Sequence, residues 1–561
     1  MEMINKKRTL PGMKHLDPVT RHFVECHRDD SAYISVSRSQ VLFYAAVAVG
    51  MLVFLKYRWD YFLFTVTALM AFWYFSAAIF RISACCVSML GYGEKKVSAE
   101  ELAAIDCEDL PVYTILVPLY HEANIAEKII LNIGRLDYPA DKLDVKLLLE
   151  SDDHETMLAL KRCFLPWNYK IIVVPGSMPK TKPRACNFGL KYAKGEFCVI
   201  YDAEDRPEPD QLKKAVAVFR RTPPEMACVQ AKLNYYNSRQ NLLTRLFTIE
   251  YSTTFDLMLP GMQTFNVPLP LGGTSNHFRT EALLSLGGWD PFNVTEDCDL
   301  GIRIYTHGYQ TCLLDSTTWE EANSDVWNWI RQRSRWVKGF IQTHLSHTRH
   351  PLNTLRHLGL WGFFGFYLSV GASAFMMLVN IIYWIAGGFY LLLFMDALSS
   401  GLSPWEIIAG PHNFTDYHGL PVFGMHLEPW PLFYWGATES RFWSMLSVIF
   451  FGMTVLLLLA NFLFLGVHIL ACIKRRYYHL LPAALLMPFY WLLISVGAWK
   501  GFIQLFFNPF YWEKTVHGLD DGSRTVNTSF EQIPSGIKII AVHETTAQTA
   551  EENKSLSVNN S

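Results

Sequence analysis

The chain has 561 residues, of which 51% are hydrophobic and 18% charged, with a formal net charge of −2. That length holds a large folded domain together with several apolar segments. A charge so near zero excludes a nucleic-acid-binding domain, which carries a strong basic surplus, and no nucleic-acid partner is expected.

Residues 1–40 are polar, carry "INKKR" and show no removable leader, so they are expected to be a cytosolic segment. Two apolar runs, 41–57 and 61–82, flank the patch "KYRWD". Each approaches the ~20 residues that a helix needs to cross a bilayer, which makes 41–82 a transmembrane helix pair. From 107 to 357 the texture becomes α/β. The β-rich runs "VYTILVPLY", "KLLLESDD", "YKIIVVPG" and "GEFCVIYDAED" alternate with helix-like stretches such as "IAEKIILNIGRL". This alternation predicts a mostly parallel, twisted sheet whose ligands bind beyond the carboxyl ends of the strands. The acidic residues of "ESDD" and "DAED" fall at such ends.

Residues 358–396 exceed one bilayer thickness and read as an interfacial helix leading into one span. The segment 397–441 lacks Lys, and Arg occurs there only at its last residue, Arg441; the next span, 442–473, is followed by "KRR". An excess of Lys and Arg marks the cytosolic side, so the loop is expected outside and the α/β domain in the cytosol. Most of the eleven cysteines lie between Cys107 and Cys312, without a C-x-x-C pair, in keeping with free thiols in a reducing compartment. The stretch 481–518 is interrupted by Pro482, Pro488, Gly497, Lys500 and Pro509. It fits a kinked span, a re-entrant element or an interfacial one. The polar tail 520–561 reads as disordered.

The chemistry is concentrated in short motifs. In "YDAEDRPEP", Asp202, Glu204 and Asp205 offer hard oxygen ligands suited to Mg²⁺ or Mn²⁺, although a solvated acidic loop has the same composition. Asp152 and Asp153 of "ESDDHET" suit helix capping. Lys180, Lys182 and Arg184 of "KTKPRACNFGL" form either a diphosphate cradle or ordinary surface. The glycine pair of "LGGTSNHFR" permits close backbone approach to a ligand, or a turn. In "GGWDPFNVTEDCDLGIRIY", Trp289 offers a stacking face. Thr295, Glu296 and Asp297 supply a general base or a capped helix start. "RQRSRWVKG" joins a basic run to a tryptophan, and its Arg331, Arg333 and Lys338 fit a membrane anchor.

In combination these motifs resemble the cellulose-synthase-like branch of the family 2 glycosyltransferases, which are inverting GT-A enzymes that include cellulose, chitin and hyaluronan synthases. The resemblance covers roughly residues 40 to 520 and implies a GT-A-like α/β cytosolic domain combined with an α-helical transmembrane region. It implies that Asp152 contacts the uridine side of a nucleotide-sugar and that Asp202 lies against the diphosphate–metal unit. Lys182 belongs with this donor set, and Asp297 would be the base that deprotonates the acceptor. Gln332, Arg335 and Trp336 match the motif of processive members, with Arg335 facing the diphosphate and Trp336 under the acceptor sugar. Where that family commonly has Asp-x-Asp, this chain has Asp202-Ala203-Glu204, which makes Asp202 with Glu204 the expected metal pair ahead of Asp205. "FYWEKTVHG" resembles a cytosolic gating segment, with Trp512, Lys514 and Thr515 closing over nucleotide; an aromatic-belt residue and a snorkelling lysine are the alternative.

The expected function is a processive inverting synthase in the bacterial inner membrane. It would polymerise a hexose, with glucose favoured, from a UDP-sugar into an exported β-linked polysaccharide. Its partners are the donor, the growing polymer and the lipid bilayer, with accessory secretion subunits or cyclic-dinucleotide regulation left open. The alternatives are a single-addition transferase acting on a polyprenyl phosphate and a non-catalytic membrane receptor or scaffold.

Overall fold

The computed structural model describes residues 13–404, 420–422, 425–427, 459–515, 518 and 538–540. Its centre is a ten-stranded sheet formed by β1 (Glu94–Lys95), β2 (Tyr113–Leu119), β3 (Leu143–Glu150), β4 (Tyr169–Val174), β5 (Phe197–Ile200), β6 (Arg206–Pro207), β7 (Met226–Tyr235), β8 (Asn276–Arg279), β9 (Gln310–Glu320) and β12 (Lys538–Ile540). A separate hairpin joins β10 (Leu420–Val422) to β11 (Met425–Leu427). The order across the large sheet is β1-β9-β7-β8-β5-β2-β3-β4-β12, with β6 on β9. Most neighbours run parallel; β8 is antiparallel to both β5 and β7, and β6 to β9.

The central strands read as unbroken apolar runs because both faces of the sheet are covered. Ile115, Val117, Leu147, Leu149 and Ile171 point into one core, and Leu116, Leu148 and Ile172 into the other, as the two-residue period of a strand requires. The shared direction of β2, β3, β5 and β9 brings Tyr120, Glu150, Asp202 and Glu320 to one edge of the sheet.

The N-terminal segment is docked on this domain. Helix Pro18–Cys26 is capped by Asp17, which accepts from Val19 and Thr20 amides, and its Phe23 and Val24 are buried beside Phe292. Among the described residues, four helices are long and apolar enough to cross a membrane: Arg38–Tyr57, Ala68–Met89, Pro351–Ile382 and Met487–Phe507. The third contains a π-turn at Tyr367–Gly371. Helix Leu459–Lys474 is apolar but shorter. Most of the expected outer loop, the first part of 442–473 and nearly all of the tail lie outside the described residues. In the tail, Lys538–Ile540 pairs with β4, where disorder was expected.

The prolines in 481–518 fall at helix boundaries: Pro482 lies in the first turn of the short helix Leu481–Ala484, which Leu485 and Leu486 separate from the main helix. Helix Met487–Phe507 is continuous, with Pro488 in its first turn, where no helical amide bond is lost, and Pro509 beyond its end. Its glycines serve close packing against helix Val326–His347. A Cβ on Gly497 would stand 2.9 Å from Cβ of Arg333, and one on Gly501 would overlap the Ser334 carbonyl. Gly501→Ala is therefore expected to lower stability by about 1–3 kcal/mol. Thermal unfolding of the detergent-purified protein checks this, and an unchanged midpoint would remove the close-packing account.

Candidate active site

A cavity of about 510 Å³ opens beyond the carboxyl ends of the strands and continues between the apolar helices. At its sheet end, the turn after β5 presents Asp202 and Glu204 to the cavity. Lys182, at the start of helix Lys182–Leu190, forms an ion pair with Asp202 and donates to the Gly273 carbonyl at 2.7 Å. Burial opposes the Lys182 charge, but Asp202 and Glu296 outweigh it and hold the ammonium above its ordinary range.

Asp205 lies beneath this pair, fully buried. One of its oxygens accepts from the Asp202 amide at 2.8 Å and from the Thr274 hydroxyl. The other is buried with no hydrogen-bond partner. Burial, then the charges of Asp202 and Glu204, push the Asp205 carboxyl well above the usual range. Glu320 is raised by burial and by the same three carboxylates. The site thus carries an anionic surplus suited to a hard divalent cation. Among the described residues no three His, Cys, Asp or Glu side chains group to hold an ion unaided. Asp202 and Glu204 fit as the protein's ligands to a cation that takes further oxygens from substrate, while Asp205 braces the turn.

Opposite this turn, helix Glu296–Thr306 begins with two acidic residues aimed at the cavity. Asp297 accepts from the Cys298 amide at 2.7 Å, and a Cβ on Gly273 would stand 3.4 Å from its Oδ2. The glycine pair of the 271–275 loop therefore leaves room beside the carboxylate. Burial raises Asp297 to about 6, against the opposing Cys298 amide. Glu296 rises further, to about 8, through burial and then the Asp297 charge. Glu296 is held toward its neutral form more strongly than Asp297, which makes Asp297 the readier of the two to ionise and the stronger candidate for a base. Thr295 occupies the N-cap position without a side-chain cap bond.

Helix Val326–His347 carries Gln332, Arg335 and Trp336 into the same cavity. Arg335 donates to the Glu513 carbonyl at 2.9 Å and to Thr515 Oγ1 at 3.2 Å, and its guanidinium lies 4.7 Å from the Trp512 ring centre. Burial lowers its pKa against the opposing pull of Glu296, Asp202 and Asp297. Lys514 donates to the Tyr120 and His121 carbonyls, so Trp512, Lys514 and Thr515 bridge the helix and the β2 edge. Trp336 packs near Phe247 and Tyr251, with the Arg333 guanidinium 4.4 Å from its ring centre. Arg333 and Lys338 are not surface anchors. Arg333 pairs with Glu250 and donates to the Tyr490 hydroxyl at 3.0 Å, and Lys338 donates to the Tyr511 carbonyl at 2.8 Å. Arg331 is exposed.

Two sequence expectations need correction. Trp289 is 1% exposed and packs edge-on to Phe278 in the core, so it has no face to offer a sugar. Asp152 stands outside the cavity lining and pairs with Lys180, which reaches the cavity in its place; the Lys180 hydrogen bond holds Asp152 below its ordinary value. Its neighbour Asp153 is the helix cap, accepting from the Thr156 amide at 3.1 Å. Residues that the sequence did not single out also line the site. Glu150, one position into "ESDD", accepts from Arg184 at 3.1 Å, and Arg184 donates to Asp17 at 3.0 Å. Tyr120, Glu122 and Glu320 complete this wall.

The model "Glycosyl transferase family 2" matches residues 114–279, and "Glycosyl transferase family group 2" matches 197–398. A probable glycosyltransferase of Bacillus subtilis (strain 168) is 26% identical over 289 residues, covering 49% of this chain and 68% of the relative. A probable glucomannan 4-beta-mannosyltransferase of Arabidopsis thaliana is 25% identical over 280 residues, 47% of this chain; the match spans about half the relative, 52%. A mannosyltransferase of Pyrobaculum calidifontis, solved with GDP-Man and Mn²⁺, is 20% identical, covering 71% of this chain and 99% of that one at a TM-score of 0.37. The two matched regions together take in the strand-end carboxylates, Asp297 and the helix that carries Arg335 and Trp336, and the chain belongs to the family 2 glycosyltransferases, in their cellulose-synthase-like branch.

Proposed function

We propose that the chain is a processive inverting synthase that adds a hexose from a nucleotide-sugar to a β-linked polysaccharide. UDP-glucose is the expected donor. The observation that carries this reading is the continuity of one cavity from Asp202 and Asp297, past Gln332, Arg335 and Trp336, into the apolar helices. A single-addition enzyme needs no such exit. The synthase would sit in the bacterial inner membrane with its sheet domain in the cytosol.

In the proposed reaction, Asp297 takes the proton of an acceptor hydroxyl, whose oxygen attacks the anomeric carbon from the face opposite the leaving group. The new glycosidic C–O bond forms as the bond from that carbon to the diphosphate oxygen breaks, and the nucleoside diphosphate leaves with the electron pair. Lys182 and Arg335 stabilise the charge gathering on the diphosphate. A divalent cation held by Asp202 and Glu204 would supply Lewis-acid neutralisation of the same charge. Trp336 gives the acceptor ring an apolar face, and Trp512, Lys514 and Thr515 close the nucleotide side.

Purified protein in nanodiscs with Mg²⁺ or Mn²⁺ tests this with labelled UDP-glucose, UDP-N-acetylglucosamine and GDP-mannose, each offered alone. High-molecular-weight product from one donor is the expected result; the plant mannosyltransferase relative is the reason to include GDP-mannose. Product limited to one labelled lipid would overturn processivity. Asp297→Asn should lower transfer by roughly 10²–10⁴-fold while nucleotide binding survives, and native-like synthesis by this variant would remove Asp297 as the base. Because the base acts only when ionised and Asp297 titrates at about 6, kcat/KM should fall as pH drops through that value. A profile flat down to pH 5 would contradict the assignment. Trp336→Ala should shorten product by about tenfold in chain length with donor hydrolysis less affected; equal loss of both would count against acceptor stacking.

A further inference from the structure

The half of the cavity that lies between the apolar helices contains a cation with no counter-ion among the described residues. Arg81 lies on helix Trp59–Met89, inside a stretch apolar enough to cross a membrane, and it lines the cavity. One terminal nitrogen donates to the Ser373 hydroxyl at 2.6 Å. Its Nε is buried with no hydrogen-bond partner. Among the described residues no carboxylate pairs with it. Glu250, the acidic residue on the same wall, is already engaged by both terminal nitrogens of Arg333 and by the Tyr490 hydroxyl at 2.6 Å. Polar groups stand among the apolar side chains of this lining: Tyr74 donates to Asn461 at 2.8 Å, and Ser369 and Ser373 lie on helix Pro351–Ile382.

An ionised group inside a span is expensive unless something pairs with it, and such residues mark ligand or ion paths. A guanidinium keeps its charge under all ordinary conditions and offers a planar fork that matches carboxylate or phosphate oxygens. Hydroxyls and an amide beside it suit the hydroxyls of a sugar. We propose that this part of the cavity is a binding site for an oxyanion, carboxylate or phosphate, borne by the acceptor, with Arg81 as its cationic partner. The site rests on the synthase reading for the identity of the occupant as acceptor. A polymer of glucose carries no charge of its own, so this narrows the acceptor class to glycans that bear a carboxylate or acceptors begun on a phosphate.

The test is binding, without turnover, to protein in neutral phosphatidylcholine nanodiscs. A glucuronic acid tetramer is compared with cellotetraose, and farnesyl phosphate with farnesol. Native protein should bind one anionic probe at least tenfold tighter than its neutral counterpart, the scale of a charged hydrogen bond. Preference for the tetramer identifies a carboxylated glycan, and preference for farnesyl phosphate identifies a phosphorylated lipid acceptor. Arg81→Gln should abolish the preference while UDP binding is unchanged, and Arg81→Lys should retain part of it. Absence of preference in the native protein, or its persistence in Arg81→Gln, overturns the site. These outcomes are separate from those of the synthase reading. Lack of turnover with every donor would sink the synthase and leave the binding measurement standing. Turnover with a neutral acceptor and no anion preference would do the reverse.

Discussion

The close contact between helix Val326–His347 and helix Met487–Phe507 is the constraint on which the site depends. Gly497 and Gly501 let the two backbones approach to where any side chain would collide with Arg333 or Ser334. The same contact buries Arg333, whose charge is met by Glu250 and Tyr490. Removing one partner of such a buried pair costs about 3–5 kcal/mol, because the other is left uncompensated. Further along, Lys338 and Gln342 donate to the carbonyls of Tyr511 and Pro509, at 2.8 and 2.9 Å. The helix that presents Arg335 and Trp336 is thereby fixed to an apolar helix and to the segment that closes the donor side. The sheet end and the helix end of the cavity thus share one wall.

A second set of contacts fixes the opposite wall from the other end of the chain. Asp17 and Glu150 hold Arg184 between them, which ties the N-terminal segment to the strand-end carboxylates. Asp290 accepts from the Ala32 amide and from Ser31 Oγ, the latter at 3.2 Å. Arg349 donates to the carbonyls of Asp29 and Ser31 at 2.8 and 2.7 Å. The loop that leads into Glu296 and Asp297 is therefore braced by residues more than 250 positions away. A cavity assembled from four distant parts of the chain holds its carboxylates in place only while all four remain docked.

The sheet was legible because strands covered on both faces produce long apolar runs, and "KLLLESDD" and "GEFCVIYDAED" announce both the strand and the acidic turn beyond it. Asp202 follows a strand and Asp297 lies in the first turn of a helix whose period is plain, whereas Arg335, in the middle of its helix, stands out only through the motif it shares with Gln332 and Trp336. What the sequence concealed depended on tertiary packing. Trp289 beside a glycine pair reads as a stacking face, yet those glycines let the tryptophan fold into the core. Glu150 and Asp152 are two residues apart and would share a face of one strand, but β3 ends at Glu150 and Asp152 falls in the turn beyond it, a boundary the sequence does not mark. The glycines and prolines of 481–518 look like helix breakers, but prolines at helix ends and glycines under a neighbouring helix break nothing. The docking of residues 13–37 leaves no local pattern, because its partners lie in other parts of the chain.

Charge is distributed unevenly along the cavity, and this links its two ends. The sheet end gathers Asp202, Glu204, Asp205, Glu296, Asp297 and Glu320 around Lys182 and Arg335. Burial and mutual repulsion relieve part of this by holding Asp205, Glu296 and Glu320 toward their neutral forms. Under the proposed function, a diphosphate entering here would add negative charge to a site already in surplus, more than Lys182 and Arg335 alone would balance, and a divalent cation entering with the donor would offset it. By linkage that cation would draw protons from the raised carboxyls and favour the ionised Asp297 that the reaction needs. Among the described residues the helix end has the opposite imbalance, since Arg333 and Glu250 cancel and Arg81 has no carboxylate partner. An acceptor that carries an oxyanion would be repelled from the carboxylates and drawn toward Arg81. The field of the cavity would then favour movement away from the strand-end carboxylates and toward the apolar helices, the direction in which the proposed synthase would pass its product.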